Sequence, residues 1–331
     1  MNLGYSDIDV SVVGVGALHF GIFLDGKSTT HLVHKAIDCG LNYIDTAPLY
    51  GRGNSESFVG AAIQDRRSEV VLSTKVGLSP TVTHTGEFGV EVKLLTSKNI
   101  RRSLEKSLTN LRTDYIDVYN LHAFDPYTPL AETLGVLEDL INEGKVRAIG
   151  CSNYNQDELG AAFEAQDRAG FQRFAGAQVH YNLLERQAEN SFVPKCIEAQ
   201  CGIVSNRSLA RGVLAGQYTP GKLPPEGSRG ASSSRIMQWL DEDILRLVSN
   251  LDSFAQAQGH TVAELAVAWL MSRPGVSVVL AGMRNEWHLE SIMRAISWVL
   301  SEDEQRQVDE IVQEAGLTSR VKSLPPTFFE Q

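Results

Sequence analysis

The feature of this sequence that most constrains its fold is an eightfold alternation of apolar, β-rich runs with amphipathic helical segments. Several of the runs are almost continuously hydrophobic, as strands covered on both faces are. The strands predicted are Val10–Val15, Asn42–Asp45, Val70–Lys75, Ile116–Leu121, Ala148–Ser152, Ala175–His180, Ile203–Asn206 and Val276–Ala281. Such an alternation predicts an α/β fold, namely a (β/α)8 TIM barrel, with a doubly wound sheet as the alternative.

Helical periodicity occupies the segments between these strands. The helices predicted there are Thr29–Cys39, Ser55–Ile63, Ser97–Leu111, Leu130–Asn142, Gln156–Asp167, Phe192–Gln200, Thr261–Met271 and Glu286–Leu300. Asp241–Gln258 and Glu302–Glu314 predict extra helices toward the C-terminus. The Gly-, Pro- and Ser-rich stretch Gly221–Ser234 predicts a long loop at the mouth of the barrel. We expect residues 1–331 to form a single barrel domain with long mouth loops.

Composition and charge restrict the partners. Lys and Arg number 30 against 40 Asp and Glu, a net charge of −10. This acidic balance argues against nucleic acid or an anionic membrane as the main partner. The sequence shows neither a signal-peptide pattern nor a run of 18 apolar residues, so we expect a cytoplasmic protein with no membrane partner. Four cysteines without a C-x-x-C pair predict reduced thiols, and the oligomeric state stays open.

Three short motifs have weak functional interpretations. Gly14-Val15-Gly16 begins like a dinucleotide-binding fingerprint, but His19 occupies the position of its third glycine. The segment Gly21–Ser28 matches the P-loop pattern formally, yet bulky residues stand where small ones let a backbone wrap phosphate. We favour a turn leading into the next helix, with a P-loop NTPase as a minor alternative. The pair in His31-x-x-His34 has no evident third ligand, so no metal site is expected.

Four titratable side chains follow three successive predicted strands. Asp45 ends the second strand and Tyr50 lies five residues beyond it, while Lys75 and His122 end the third and fourth strands. In a barrel, the C-terminal ends of all strands open on one face. We therefore expect a carboxylate, a phenol, an ammonium group and an imidazole to meet at one mouth.

The surroundings of these residues closely resemble the aldo-keto reductase family, in order and with the family's spacing. The similar segments are Leu41–Gly51, Ser73–Lys75, Asp117–His122, Gly144–Asn153, Gln178–Asn182, Leu209–Gly216 and Gly282–Asn285. The resemblance implies a (β/α)8 barrel that transfers hydride between a nicotinamide cofactor, usually NADPH, and a carbonyl or alcohol, without a metal.

The resemblance also implies catalytic roles. Tyr50 would be the general acid for reduction and the base for oxidation, Lys75 would lower its pKa, and Asp45 would pair with Lys75. His122 would orient the substrate carbonyl. An ammonium group about 4 Å from the phenol, at an effective dielectric of about 20, favours the phenolate by roughly 4 kcal/mol. That energy corresponds to a Tyr50 pKa lowered by about 3 units. Asp45 would reduce this effect by neutralising Lys75.

A second implied set binds the cofactor. Its members are Ser152, Asn153, Gln178, Ser208, Leu209, Arg211, Gly212, Gly282 and Arg284. The first three match positions that hold the nicotinamide carboxamide, and residues 209–212 pass the pyrophosphate. Gly282 and Arg284 follow the eighth strand at the adenosine phosphate. A guanidinium group there could meet a 2′-phosphate, which favours NADP over NAD, although NAD remains possible.

The sequence departs from the family pattern in two places. Val204–Ser208 holds no aromatic residue where the family often stacks one on the nicotinamide, so Arg207 is expected to face substrate or phosphate. Ser291-Ile292 replaces a Glu-Asn pair that many relatives place near the adenine.

Loop residues suggest the substrate pocket and leave the function partly open. Phe20, Phe124 and Arg229 are the predicted substrate contacts, and Phe328 and Phe329 of the tail are expected near the site. The substrate is expected to be a small aldehyde, ketone, sugar or alcohol. The alternative function is a cofactor-sensing regulatory subunit on the same fold, resembling potassium-channel beta subunits.

Overall fold

Eight parallel strands close into a barrel in a computed structural model that describes residues 1–82, 88–226, 228–232, 236 and 239–316. The barrel strands are β1 Val13–Gly16, β2 Tyr43–Asp45, β3 Val71–Val76, β6 Ile116–Leu121, β7 Val146–Ser152, β8 Gly176–His180, β9 Gly202–Asn206 and β10 Val276–Gly282. Their order around the barrel is β1-β10-β9-β8-β7-β6-β3-β2. Because β1 pairs with both β2 and β10, the sheet has no edge. The TIM barrel is therefore confirmed and the doubly wound alternative excluded.

Helices lie between successive strands and cover the barrel. They are α1 Gly26–Asp38, α2 Ser55–Ala62, α3 Ser97–Leu111, α4 Leu130–Asn142, α5 Gln156–Ala169, α6 Phe192–Glu198, α7 Arg229–Ser232, α8 Glu242–Ala257, α9 Val262–Met271, α10 Glu286–Ser297 and α11 Glu302–Glu314. The predicted extra C-terminal helices correspond to α8 and α11. None of the helices in the described part of the chain has both the length and the apolar character needed to cross a bilayer.

The floor of the barrel is closed by the N-terminal segment, which the strand prediction missed. Leu3, Ile8 and Val10 are at most 2% exposed and pack against side chains from the lower ends of the strands. The segment folds back on itself through the bond from the Leu3 amide to the Ile8 carbonyl. The expectation that β1 begins at Val10 was wrong, since β1 begins at Val13. Val10 is apolar because it belongs to the N-terminal segment that closes the barrel floor.

The mouth of the barrel carries two long excursions. After β3 the chain forms an antiparallel hairpin of β4 Leu78–Val82 and β5 Phe88–Val92, where the sequence predicted only a loop. After β9 it runs through a turn at Ala210–Ala215 and the short helix α7 before α8. These excursions confirm the long mouth loops. Phe328 and Phe329 lie outside the described residues.

Strand register brings polar residues into one layer below the mouth. Asp45 of β2 pairs with Gly16 of β1 on one side and with Ser73 of β3 on the other. In β6, Asn120 lies opposite Lys75. The second strand therefore ends level with Ser73, and the third strand continues past it to Val76, so Lys75 lies two residues beyond the level of Asp45.

Gly60 allows α2 and α3 to lie against each other, which gives a test of the packing. A Cβ at Gly60 would lie 2.6 Å from the Asn110 carbonyl oxygen and from backbone atoms of Leu111. We expect Gly60→Ala to lower the free energy of unfolding by about 1–3 kcal/mol, as overpacking does. Gly26→Ala is the control, because nothing lies within 4 Å of its built Cβ. Urea denaturation in which both variants unfold like the parent protein would contradict this packing.

Candidate active site

A completely buried ion pair lies where β2 and β3 end. The Lys75 Nζ donates to Asp45 Oδ2 at 2.6 Å and to the Thr46 carbonyl oxygen at 3.0 Å. Asp45 accepts a further hydrogen bond from the Ser73 hydroxyl at 2.9 Å, and the side chain of Lys75 has no exposed surface. Burial alone disfavours the charged ammonium group, but Asp45 and Tyr50 hold the pKa of Lys75 above its ordinary value.

Tyr50 reaches this pair from a tight turn. It begins the turn Tyr50–Gly53, in which Gly51 and Arg52 have left-handed backbone angles with φ of 60° and 54°. Gly51 can be no other residue here, since a Cβ would lie 1.9 Å from the Phe20 carbonyl oxygen. The turn places the Tyr50 ring 4.6 Å from Lys75 Nζ. The His122 ring lies edge-on to it, with centroids 5.9 Å apart. The four predicted catalytic residues therefore meet at one mouth.

The electrostatics of the phenol differ from the sequence-based expectation. Burial raises the pKa of Tyr50 above its ordinary value, and the Lys75 charge acts in the opposite direction without cancelling the rise. The predicted direction of the Lys75 effect is correct, but the prediction of a net lowering was wrong because it omitted desolvation. Burial, and then Lys75, lower the pKa of His122 well below its ordinary value. At neutral pH the site therefore holds a protonated phenol and an uncharged imidazole.

A chain of amides and hydroxyls joins this cluster to the ends of the next strands. The Gln178 amide donates to Asp45 Oδ1 at 3.3 Å and its oxygen accepts from the Ser152 hydroxyl at 3.2 Å. Asn153 donates to Ser152 Oγ and to the His122 carbonyl oxygen at 3.1 and 2.8 Å. Asn153 has a left-handed φ of 58°. Residues other than glycine rarely adopt this conformation, and those that do cluster at functional sites. The structure thus brings the three predicted carboxamide residues beside the four predicted catalytic residues.

The segment after β9 is tightly turned. Four of its residues have positive φ, namely Arg207, Ala210, Arg211 and Gly212. The three that are not glycine adopt this conformation only under local constraint. The Gly212 amide donates to the Leu209 carbonyl oxygen at 2.8 Å. The Ser208 hydroxyl donates to the Leu280 carbonyl oxygen of β10 at 2.6 Å, fixing the segment to the barrel.

Two guanidinium groups of this segment give the mouth positive charge. The Arg211 guanidinium lies over the Trp239 ring at 5.1 Å. Burial, and then the charges of Arg207 and Arg211, lower the pKa of His180 to about 3. Arg207 also acts on the pKa of Tyr50, in the lowering direction. The positive charge of this segment therefore acts on the Tyr50 phenol.

The end of β10 carries the remaining predicted cofactor residues. Gly282 is exposed and pairs in register with Gly16 of β1. Arg284 follows two residues later, and its backbone amide donates to His288 Nδ1 at 3.1 Å. The Arg284 guanidinium lies over the Phe23 ring at 4.1 Å. This end of the site is therefore built jointly by β10, the start of α10 and the loop after β1.

The weaker sequence motifs take structural roles. The N-terminus of α1 is capped by Asp25, whose carboxylate accepts from the Ser28 amide at 2.8 Å, so the P-loop-like segment presents a carboxylate where a phosphate would bind. His31 contacts Glu286 and His34 contacts the Ala62 carbonyl oxygen. Across the described ranges, no group of three or more His, Cys, Asp or Glu residues is arranged to hold a metal.

A family model described as "Aldo/keto reductase family" matches residues 12–313. The chain belongs to the aldo/keto reductase family. An aldo-keto reductase named YhdN from Bacillus subtilis is 31% identical over 313 residues, covering 92% of this chain and 91% of that relative. A probable voltage-gated potassium channel subunit beta from Arabidopsis thaliana is 33% identical over 302 residues, covering 89% of this chain and 90% of that relative.

A solved structure agrees with this membership. The glycerol dehydrogenase AKR11B4 from Gluconobacter oxydans is 27% identical, and it superposes with a TM-score of 0.83. The match covers 98% of this chain and 96% of that one. This aldo/keto reductase therefore shares both its barrel and nearly its whole length with proteins of the family.

The predicted substrate contacts of this aldo/keto reductase have different outcomes. Phe20 has no exposed surface and packs in the core between barrel and helices, so the prediction that it contacts substrate was wrong. It is apolar because it anchors the loop after β1. Phe124 is half-buried two residues beyond His122 and lies edge-on to Tyr154, with ring centroids 5.4 Å apart. The side chain of Arg229 lies outside the described residues.

Sequence reasoning missed several residues that support the site. The Asn120 amide donates to the Ser73 hydroxyl at 3.0 Å, which in turn holds Asp45. The Asn206 amide donates to Gln178 Oε1 at 3.3 Å, so it joins the amide chain in the segment that lacks the expected aromatic residue. Asn206 could have been predicted, because it is a polar residue at the end of an apolar strand. Ser73 and Asn120 could not, because they resemble ordinary strand residues.

The buried ion pair allows a stability test. Removing one partner leaves the other charge buried without a counter-charge. We therefore expect Asp45→Asn and Lys75→Met each to lower the free energy of unfolding by about 3–5 kcal/mol. The double variant should cost less than the sum of the two, because the charges interact. Glu164→Gln is the control, since it breaks an exposed pair with Arg168 that contributes at most about 1 kcal/mol. Additive losses in urea denaturation would show that the buried charges do not interact.

Proposed function

We propose that this protein is an NADP-dependent oxidoreductase that transfers a hydride between the nicotinamide and a small-molecule carbonyl or alcohol. One observation carries the proposal, namely the meeting of Tyr50 with the buried Lys75–Asp45 pair and with His122 at the mouth of the barrel. Barrel enzymes have their reaction centres at this face. We also infer that residues 1–331 form one domain.

The donor groups near this cluster fit a nicotinamide dinucleotide. Amide and hydroxyl groups of Ser152, Asn153 and Gln178 can bind a carboxamide, since each can both donate and accept. The guanidinium groups of Arg211 and Arg284 suit phosphates, which they bind through paired, charge-assisted hydrogen bonds. These positive groups in a chain of net charge −10 support an anionic ligand at this mouth.

The reduced cofactor, when bound, would supply the hydride, and the residues of this chain would handle the proton and the developing charge. Tyr50 would donate its hydroxyl proton to the substrate oxygen as negative charge builds there. His122 and Tyr50 together would donate hydrogen bonds to that oxygen and hold the carbonyl in position. Lys75 would stabilise the phenolate left on Tyr50, and Asp45 would keep Lys75 in place and charged.

The electrostatics favour reduction over oxidation at neutral pH. Burial holds the pKa of Tyr50 above its ordinary value, so the phenol carries the proton that reduction requires. Oxidation requires the phenolate, which grows as the pH rises. We therefore infer that carbonyl reduction is the faster direction near pH 7 and that alcohol oxidation gains at alkaline pH.

The substrate pocket is inferred to have apolar walls. Phe124 lies beside the strand end that carries His122, and Tyr127 on the same loop is 70% exposed. An aldehyde, a ketone or a sugar with an apolar face would suit such a rim.

A cofactor-sensing regulatory subunit is the second candidate. The relative from Arabidopsis thaliana is named as a probable voltage-gated potassium channel subunit beta. Asn206 lies in the segment where an aromatic residue would otherwise stack on the nicotinamide. Slow turnover together with tight cofactor binding would favour this candidate over an enzyme.

Replacing Tyr50 tests the assignment of the proton donor. Tyr50→Phe keeps the ring but removes the hydroxyl, so we expect turnover to fall by about 10²–10⁴-fold, the usual contribution of a general acid. The Kd for NADPH, measured by fluorescence titration, should change little. Tyr5→Phe is the matched control, because that phenol bonds to the Arg173 carbonyl oxygen away from the catalytic cluster. Undiminished turnover in Tyr50→Phe would remove Tyr50 from the mechanism.

A further inference from the structure

The loop after β1 lies across the end of β10, where Arg284 is placed. The Phe23 ring is stacked under the Arg284 guanidinium, with Cζ 4.1 Å from the ring centroid. The His19 ring lies edge-on to Phe23, with centroids 5.3 Å apart. The structure therefore places Phe23 against a predicted cofactor residue.

The position of Phe23 is fixed by the backbone of its own loop. Phe20 anchors the loop in the core, and the Gly21 amide donates to the Leu24 carbonyl oxygen at 2.9 Å. The amides of Ile22 and Phe23 both donate to the His19 carbonyl oxygen at 3.1 Å. The Phe23 side chain is nevertheless 56% exposed. An apolar ring at the surface contributes little to the core, and this ring contacts the Arg284 guanidinium and the His19 ring.

Arg284 is held from its other end by the first turn of α10. Its backbone amide donates to His288 Nδ1 at 3.1 Å, while Asn285 caps the helix through the His288 amide at 3.0 Å. Burial, and then the Arg284 charge, lower the pKa of His288, so the imidazole does not add a second positive charge at neutral pH. With the backbone fixed, the ring of Phe23 orients the long and otherwise adaptable side chain.

The acidic residue of the same turn is engaged elsewhere. Glu286 bonds to His31 Nε2 at 2.7 Å and forms an ion pair with Lys35, both on α1. This contact joins α1, which follows the loop that carries Phe23, to α10, which follows the turn that carries Arg284. The Glu286 carboxylate, which is the one nearest to Arg284 in the sequence, is therefore engaged by side chains of α1.

We infer that Phe23 is a positioning residue for cofactor choice, holding the Arg284 guanidinium so that its edge can bind the ribose 2′-phosphate of NADP. The inference rests on the proposed role of Arg284. Cation–π contacts of this exposed kind are weak, so Phe23 should contribute about two- to fivefold to the affinity for a 2′-phosphate. It should contribute nothing to ligands that lack this group.

Calorimetric titration of the full chain with two adenosine fragments tests the inference. Adenosine 2′,5′-bisphosphate carries the 2′-phosphate and adenosine 5′-monophosphate lacks it. We expect Phe23→Ala to weaken bisphosphate binding about two- to fivefold and to leave monophosphate binding unchanged. Phe23→Leu should behave like Phe23→Ala, because it keeps apolar bulk without a π face, and Phe23→Tyr should bind like the parent.

The matched control is Ile22→Ala, which removes an exposed apolar side chain from the same turn without touching the stack. It should bind both fragments like the parent. The inference is overturned if Phe23→Leu binds the bisphosphate like the parent, if Phe23→Ala weakens both fragments equally, or if it weakens neither.

Arg284→Ala separates this inference from the proposed function. It should weaken bisphosphate binding by about tenfold or more, since it removes charge-assisted hydrogen bonds. If that variant loses affinity for the bisphosphate while the Phe23 variants do not, the role of Phe23 fails and the assignment of Arg284 stands. If Arg284→Ala has no effect, the proposed preference for NADP fails as well.

Discussion

A charged ammonium group with no exposed surface lies at the centre of this structure. Removing such a group from water costs several kcal/mol, which its partners must offset. The buried charge of Lys75 is stabilised because the Asp45 carboxylate and the Thr46 carbonyl oxygen accept its hydrogen bonds. The Ser73 hydroxyl donates to the same carboxylate and holds it in place. All of these groups lie near the C-terminal ends of β2 and β3, so the direct pairing of these two strands is what brings them together.

The other parts of the mouth are arranged in relation to this pair. From Asp45 the hydrogen bonds run through Gln178 and Ser152 to Asn153, whose amide reaches the strand end that carries His122. The positive charges of Arg207 and Arg211 lie on the segment after β9, where they lower the pKa of His180, and the charge of Arg207 also acts on the pKa of Tyr50. The mouth therefore combines uncharged hydrogen-bonding groups with positive charge, which suits a ligand that carries both an amide and phosphates.

Much of this arrangement could be predicted from the sequence because it depends on strand ends. The positions of Asp45, Lys75 and His122 follow from eight apolar runs and from the rule that parallel strands open on one face. The failures concern residues whose polarity or apolarity has more than one explanation. Phe20 and Val10 are apolar because they fill the core and the barrel floor, and a pattern alone does not distinguish these roles from a pocket wall or a strand. The pKa of Tyr50 depends on the depth of its burial, which residue spacing does not encode.

Transfer of hydride to a carbonyl is the central claim, and the absorbance of the reduced nicotinamide tests it most directly. The protein would be mixed with NADPH, and separately with NADH, and challenged with a panel of aldehydes, ketones and sugars, then with NADP and alcohols for the reverse reaction. We expect loss of the absorbance with at least one carbonyl, faster with NADPH than with NADH. Tight binding of NADPH without any change in absorbance across the panel, in both directions, would contradict it.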